Sequence, residues 1–447
     1  MPASVTGGRG RVSLLGLLLG LALLVVMTMR GASLFIATPL CALVVALTSG
    51  LPLLPPLAAE GQTDLISGYM SGFTRFIKDF FFIFLLGAVF GKLMEASGAA
   101  DSVAQWITRQ LGVGHAALAV VLACAALTYG GVSLFVVAFS VYPMAVALFR
   151  QANLPRRFIP AALGFGSVTF TMTSAGSPEI QNWIPMQYLG TTPMAAWQAS
   201  LIVALAMAVS GHFWLSWMLK RAVAAGERFE GRDNDPVPRE TGLPHPLLAA
   251  VPLVAVLVVS NWLQKDLGKS ALILAMLAGC LSAAALMFRT LKQPGEALSE
   301  GGLGALIAIG NTAAVVGFGD VAKLAPAFAV AVDWVTHLPG GGLLAAGLAV
   351  AVIAAMTGSA SGGQVIALPI LAPIFLAQGV NPDQLHRVVA ISSGSLDSLP
   401  HNGYVVTTIR AICGETHARA YWAMGALTVV VPLGGVALVL LLFALGL

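Results

Sequence analysis

Charge is what this chain of 447 residues has least of. Asp, Glu, Lys and Arg make up 9% of it, 58% is apolar, and the mean hydropathy is +0.89. A soluble domain carries about a quarter charged residues, so a soluble fold is excluded and an integral membrane protein is implied. The net charge of +4 is small and scattered, which leaves a nucleic-acid partner without support. Cysteine is also scarce. Cys41, Cys124, Cys280 and Cys413 each sit inside an apolar run, with no CxxC or Cys/His spacing. They read as small core residues, so neither a disulfide framework nor a metal site is expected. No HExxH zinc motif and no GxSxG elbow occurs, and nothing calls for a cofactor.

Hydrophilic sequence is confined to one long stretch, Lys220 to His245, which divides the chain near its middle. Apolar runs before it fall at 12–29, 33–49, 76–96, 115–150, 157–190 and 193–219. Those after it fall at 246–263, 271–289, 303–318, 343–378, 383–412 and 418–446. The first run follows Arg9 and Arg11 but lacks a small-x-small cleavage site, and it reads as a retained span. The two sets match element for element. Gly91 and Gly319, Trp106 and Trp334, and Gly112 and Gly340 are each 228 positions apart, and Thr128 falls close to that offset from Thr357. Such a register predicts two structural repeats, 1–219 and 246–447, joined by the charged linker 220–245.

In each repeat one apolar run has arms too short to cross twice at about 20 residues per span. These runs, 115–150 and 343–378, are expected to be re-entrant hairpins, and 157–190 and 383–412 broken helices. The expected fold is an all-α polytopic membrane protein of about ten transmembrane helices. Five crossings per half would insert the halves with opposite orientation, as inverted repeats, with both termini on one side. Placing the termini outside puts fifteen of the 23 basic residues on inner loops, among them those of the linker, although Arg9 and Arg11 then face outward.

Four polar breaks interrupt the apolar runs. Backbone that leaves a helix at membrane depth is tolerated only inside protein or beside a wet cavity, and in secondary transporters such breaks form the substrate and ion sites. The hairpin tips supply Thr128, Gly130, Gly131 and Ser133, and Thr357, Gly358, Ser359, Ser361 and Gly362. The broken helices supply Thr173, Ser174, Gly176, Ser177 and Asn182, and Ser393, Gly394, Ser395 and Asn402. Half-helix N-termini attract anions, hydroxyls add neutral donors, and glycine admits a ligand close to the backbone. With almost no fixed cation, this make-up suits a small carboxylate bearing hydroxyls. Tight helix packing is the plain alternative for any one break; four breaks at matching positions weigh against it. The intramembrane ionisable residues Asp397, Glu179 and His401 are candidates to carry a coupling proton. Asp397 or Ser395 could instead cap a half-helix beginning near Pro400. Lys78, Asp79, Lys92 and Glu95 read as interfacial charge near the ends of the third span. A serine hydrolase built on Ser395, Asp397 and His401 would have to work across a single helix break.

Ser393 to Gly403 (SGSLDSLPHNG), preceded by Leu385-His386-Arg387 and by Gly358 to Gly363 (GSASGG), resembles the gluconate permease (GntP) family of the ion transporter superfamily. The resemblance implies a proton-coupled importer of gluconate or related hydroxy acids in the cell (inner) membrane. It also implies two inverted repeats around a midplane site, a homodimer and elevator-type alternating access. In the first half, Leu127 to Phe135 (LTYGGVSLF) and Thr173 to Asn182 (TSAGSPEIQN) are more similar to the short-chain branch that includes D-3-hydroxybutyrate permeases. On this reading the substrate carboxylate sits among Ser359 to Ser361 and Ser174 to Ser177, with hydroxyls at Asn182, Asn402 or Ser395. Sodium-coupled transport of a di- or tricarboxylate is the nearer alternative. A membrane-embedded hydrolase or a sensor without flux is the farther one.

Overall fold

The structure is a computed structural model that describes residues 8–447 except 31, 133, 234, 236–240, 268–269, 329, 331–340 and 401. Ser133, His401, Trp334 and Gly340 therefore lie outside the described residues, as does the side chain of Thr357. Among the described residues the regular structure is helical throughout. Six helical stretches are long and apolar enough to cross a membrane, and five shorter apolar helices accompany them.

The order of elements runs twice through the chain. A helix pair, α1 (Gly8–Met29) and α2 (Leu34–Ser49), opens the first half. The long α3 (Leu65–Ala96) and the short α4 (Ala99–Leu111) follow, then the hairpin of α5 (Ala116–Tyr129) and α6 (Leu134–Gln151). The first broken helix is α7 (Ile159–Gly164) with a π-helical turn, a non-helical stretch, and two short pieces, α8 (Ile180–Trp183) and α9 (Met186–Leu189). The half closes with α10 (Trp197–Ala224). Beyond the linker come the pair α11 (Pro246–Leu267) and α12 (Ser270–Leu286), and the long α13 (Pro294–Leu324). A second hairpin follows, α14 (Gly342–Thr357) and α15 (Ala360–Ala377). The second broken helix is α16 (Pro382–Ser393) and α17 (Gly403–Val406), the latter running into a π-helical turn. The chain ends on α18 (His417–Gly425), a further π-helical turn and α19 (Val431–Ala444).

Both hairpins turn on a left-handed glycine, Gly131 (φ +91°) and Gly358 (φ +59°), a backbone region that residues with a Cβ rarely adopt. Each long helix packs through a glycine on its half's outgoing hairpin arm. A methyl group on Gly91 of α3 would collide with Val136 of α6, and one on Gly319 of α13 would collide with Ile366 of α15. The two long helices also pack against each other, and Gly72 and Gly317 allow it: a Cβ on Gly72 would lie 2.8 Å from the Val316 carbonyl, and one on Gly317 2.8 Å from that of Tyr69.

Two expectations need correction. The third span is the apolar part of a helix that begins at Leu65, where Asp64 caps it by accepting from the Ile66 and Ser67 amides at 2.9 and 3.0 Å. Lys78 and Asp79 consequently lie well inside α3, whereas Lys92 and Glu95 do lie near its end and pair with each other at 3.1 Å. The second half-helix starts at Gly403, and its cap is Asn402, which accepts from the Val405 amide at 2.9 Å. Neither Asp397 nor Ser395 caps it; the Ser395 hydroxyl donates to the Ser392 carbonyl at 2.6 Å.

The linker is docked, not loose. Asp235 pairs with Arg156 and Arg150, Glu227 with Arg157, Arg232 with Glu415, and Arg419 with Glu230. Asp235 and Glu415 are almost fully buried there. Burial opposes the charge on Asp235, but the Arg232 amide and the Arg156 and Arg150 guanidinium groups hold its carboxyl below the usual range. The Arg157 guanidinium does the same for Glu227. These pairs join the foot of the first broken helix to the end of the second. All of the basic residues in them belong to the loops that charge counting puts on one side of the membrane.

Candidate functional site

Breaks in the ladder of backbone hydrogen bonds leave amides and carbonyls that need partners. Here the four breaks satisfy one another. A half-open cavity of about 240 Å³ lies between them, lined by Gly131 of the first tip and Pro178 to Gln181 of the first break. Gly358 to Ser361 of the second tip, with Asp397, Ser398, Asn402 and Gly403 of the second break, line it too. The second tip and second break are stitched together by the Asn402 side-chain amide, which donates to the Gly358 carbonyl at 2.9 Å. Ser359 caps α15, its hydroxyl accepting from the Gly362 amide at 3.2 Å.

Two carboxylates face this cavity, and among the described residues no lysine or arginine lines it. Asp397 accepts from the Ser398 hydroxyl at 3.0 Å and from the backbone amide of Ala360, the first residue of α15. The Glu179 carboxylate has no hydrogen-bond or ion-pair partner among the described residues; its backbone is engaged, the amide donating to the Ser177 hydroxyl at 3.3 Å and the carbonyl accepting from the Asn182 amide at 2.9 Å. The remaining wall is mostly apolar and comes from α3, α6 and α13.

The first break is organised differently, around a guanidinium. Arg387 of α16 is fully buried, and it donates to the carbonyls of Thr173 (2.5 Å), Pro193 (3.2 Å) and Ala195 (2.9 and 3.1 Å) and to Asn182 Oδ1 (3.0 Å). His386 lies beside it, with Nε2 3.3 Å from the same Asn182 oxygen and Nδ1 2.7 Å from the Thr191 hydroxyl. Asn182 in turn donates to the carbonyls of Ser177 at 3.0 Å and Pro193 at 3.1 Å. A buried cation without a carboxylate is stable only because backbone dipoles surround it on this scale. The Leu385-His386-Arg387 triplet is thus a clamp from the second half onto the first break.

Of the residues expected at the site, the structure brings Gly131, Glu179, Gly358, Ser359, Ser361, Asp397 and Asn402 to the cavity wall. Thr128, Gly130, Thr173, Ser174, Gly176, Ser177, Asn182, Gly362, Ser393, Gly394 and Ser395 are not on that wall. Asn182 is taken up by Arg387, the Ser174 hydroxyl donates to the Phe170 carbonyl, and Ser393 accepts from Gln364 at 2.9 Å and donates to the Ala390 carbonyl at 2.8 Å. Of the hydrolase candidates Ser395, Asp397 and His401, the two that are described do not pair, since the Ser395 hydroxyl donates to the Ser392 carbonyl and Asp397 accepts from Ser398. Sequence reasoning missed Gln181 beside Glu179, and Asn311 and Thr312 in the middle of α13. The signal for the latter was an adjacent polar pair in an otherwise apolar run, Ala308 to Val316.

Comparison with known proteins agrees with this architecture. Residues 12–174 match the family model of GntP family permeases. An uncharacterized transporter of Bacillus subtilis, YxjC, is 35% identical over 94% of this chain and 96% of its own. A high-affinity gluconate transporter of Escherichia coli is 27% identical over 38% of this chain and 35% of its own. Among solved structures, the YdaH transporter of Alcanivorax borkumensis shares the fold with a TM-score of 0.57 at 17% identity, over 97% of this chain and 98% of that one.

Proposed function

Because this chain belongs to the GntP family of permeases, it is a multi-pass membrane transporter and not an enzyme, and we propose that it imports a small hydroxylated monocarboxylate by proton symport. The observation that carries this reading is a cavity walled by all four helix breaks, holding two carboxylates and, among the described residues, no cationic side chain. An organic anion entering beside two carboxylates is repelled, and a proton on one of them lowers the repulsion at no cost in space. Asp397 is the residue assigned this proton. Its carboxylate holds the Ala360 amide at the start of α15. Protonation weakens that hold, and the substrate carboxylate takes over the helix N-terminus, where the Ser359 and Ser361 hydroxyls add donors. Glu179, whose carboxylate has no hydrogen-bond or ion-pair partner among the described residues, is the second candidate. The E. coli relative named for gluconate supports a sugar acid as one possible cargo, and 3-hydroxybutyrate is the other.

We read residues 1–219 and 246–447 as inverted repeats, supported by the repeated element order and by the paired contacts of Gly91 and Gly319. The linker 220–245 is assigned to the cytoplasmic face, with the termini outside and the protein a homodimer in the cell (inner) membrane. Transport follows an elevator motion, in which the ion pairs of the linker move the two broken helices together. The deciding experiment is accumulation of labelled 3-hydroxybutyrate and gluconate in proteoliposomes containing the purified protein. Accumulation driven by an inward proton gradient at fixed sodium supports the proposal. Accumulation of succinate or citrate driven by sodium at fixed pH refutes it.

A further inference from the structure

Outside the central cavity, near the linker, a groove of about 740 Å³ runs between α10 and the chain from α18 into its π-helical turn. Both walls belong to stretches long and apolar enough to span a membrane, Trp197–Ala224 and His417–Ala444. Its charged groups are Arg157, Arg221 and Glu227, and the other lining residues are apolar or aromatic. Arg221 lies in the last turn of α10, and Trp214, two turns back along that helix, sits about 10 Å deeper. Trp217 is 54% and Trp422 80% exposed, so this chain itself leaves the groove uncovered. Leu399 and Pro400 of the second break line it too, next in sequence to the Asp397 and Ser398 of the central cavity. The Tyr421 hydroxyl, from the groove, donates to the Ser398 carbonyl at 3.2 Å.

The two arginines are not equally engaged. Arg157 grips Glu227 through Nε and Nη2 at 2.6 and 2.8 Å and reaches the Arg419 carbonyl through Nη1 at 3.5 Å, which leaves part of its N–H fork free. The Arg221 guanidinium lies 5.4 Å from the centre of the Trp217 ring and has no hydrogen-bond or ion-pair partner among the described residues. Scattered tryptophans and snorkelling arginines are ordinary at a membrane surface. Here they converge on one groove, with an uncompensated cation at its mouth and apolar walls behind it. That charge pattern complements a phosphate carrying hydrocarbon chains. We propose that the groove binds one anionic phospholipid, its phosphate on Arg221 beside the spare donors of Arg157, and an acyl chain along Trp214, Met218 and Val429. The bound lipid packs on Leu399 and Pro400 and so braces the second break.

The test is thermal unfolding of the purified protein in neutral detergent, titrated with phosphatidylglycerol, with phosphatidylcholine of the same chains, or with inorganic phosphate. A ligand of the folded state raises the melting temperature, and the concentration giving half of the rise is the readout. Phosphatidylglycerol is expected to act saturably, phosphatidylcholine about five-fold more weakly or less, and phosphate not at all. Arg221→Gln, at an exposed side chain, is expected to weaken phosphatidylglycerol about five-fold or more. Lys220→Gln removes the same charge next door but off the groove, and it should change the readout by less than about two-fold. Ala426→Phe, which fills the groove and alters no charge, should weaken the lipid as well. Equal losses in Arg221→Gln and Lys220→Gln, or none in either, overturn the site in favour of general surface attraction. Equal shifts with phosphatidylcholine or with phosphate overturn it in favour of any lipid or a free anion. A wild-type melting temperature that no lipid moves also overturns it, and if Trp422→Ala then separates a dimer into monomers, the occupant is a second copy.

Discussion

The break at 170–179 in the first half and the break at 394–402 in the second are built from similar small and hydroxylated residues, yet their side chains face different ways. In the first, the carbonyls of Thr173, Pro193 and Ala195 fold around the Arg387 guanidinium, and the cavity is reached by Met172 and by Pro178 to Gln181. In the second, Asp397, Ser398, Asn402 and Gly403 all line the cavity, and the neighbouring tip adds Gly358 to Ser361. A fixed buried cation occupies the inside of one break, while the other turns a carboxylate toward the cavity. The comparison teaches that a repeated pattern of breaks need not mean a shared duty. One break is locked by the protein itself, and the other opens onto the cavity.

The largest effect should come from unlocking the first break. Arg387→Met strands the carbonyls and the Asn182 oxygen that the guanidinium serves, at about 1–3 kcal/mol for each group left unmet in the interior. The expected outcome is loss of a monodisperse, folded protein in detergent, read by size exclusion and thermal unfolding. A folded Arg387→Met variant that still transports would remove the clamp from the account. Next in size is the cavity. Asp397→Asn should abolish proton-driven accumulation while counterflow persists, because the substitution keeps the amide-facing oxygen but cannot exchange a proton at working pH. Glu179→Gln should slow accumulation less; the reverse order would transfer the coupling role to Glu179.

The smallest effect concerns the linker, outside the membrane. Asp235 is held below the usual carboxylate range by its guanidinium and amide partners, against the opposing effect of burial. A depressed pKa gives stabilisation that is present above the unfolded value of about 3.9 and disappears as pH falls through the folded value. The melting temperature of wild-type protein should therefore exceed that of Asp235→Asn by a constant margin between about pH 5 and 8, and the margin should close below about pH 4. A margin that grows on acidification would contradict the pairing with Arg156.

Much of this was legible in the sequence. Polar residues inside apolar runs mark where helices break, and their regular offset marks the doubled order of elements, because hydrocarbon tolerates neither by chance. The direction in which each broken segment faces was not legible. It depends on Arg387, a residue 214 positions from Thr173, whose long side chain fills the first break from the other half. Asn182 therefore reads as a binding residue in the sequence and is a partner of the clamp in the fold. Asn311 and Thr312 escaped notice for the opposite reason: two polar residues in a long apolar helix are compatible with an ordinary span, and only the cavity beside them makes them informative. The linker, hydrophilic and rich in both signs of charge, carried no sign that Asp235 would be buried against Arg156.

The contrast between the two breaks is tested most directly by two single cysteines, Ser174→Cys inside the locked break and Ser361→Cys on the hairpin tip that shares the second break's cavity, in a background whose four native thiols are buried. A membrane-permeant thiol reagent should label Ser361→Cys and leave Ser174→Cys untouched, and saturating 3-hydroxybutyrate should slow the labelling at Ser361→Cys. Labelling of Ser174→Cys that substrate protects, with none at Ser361→Cys, would contradict the account and move the binding site to the first break.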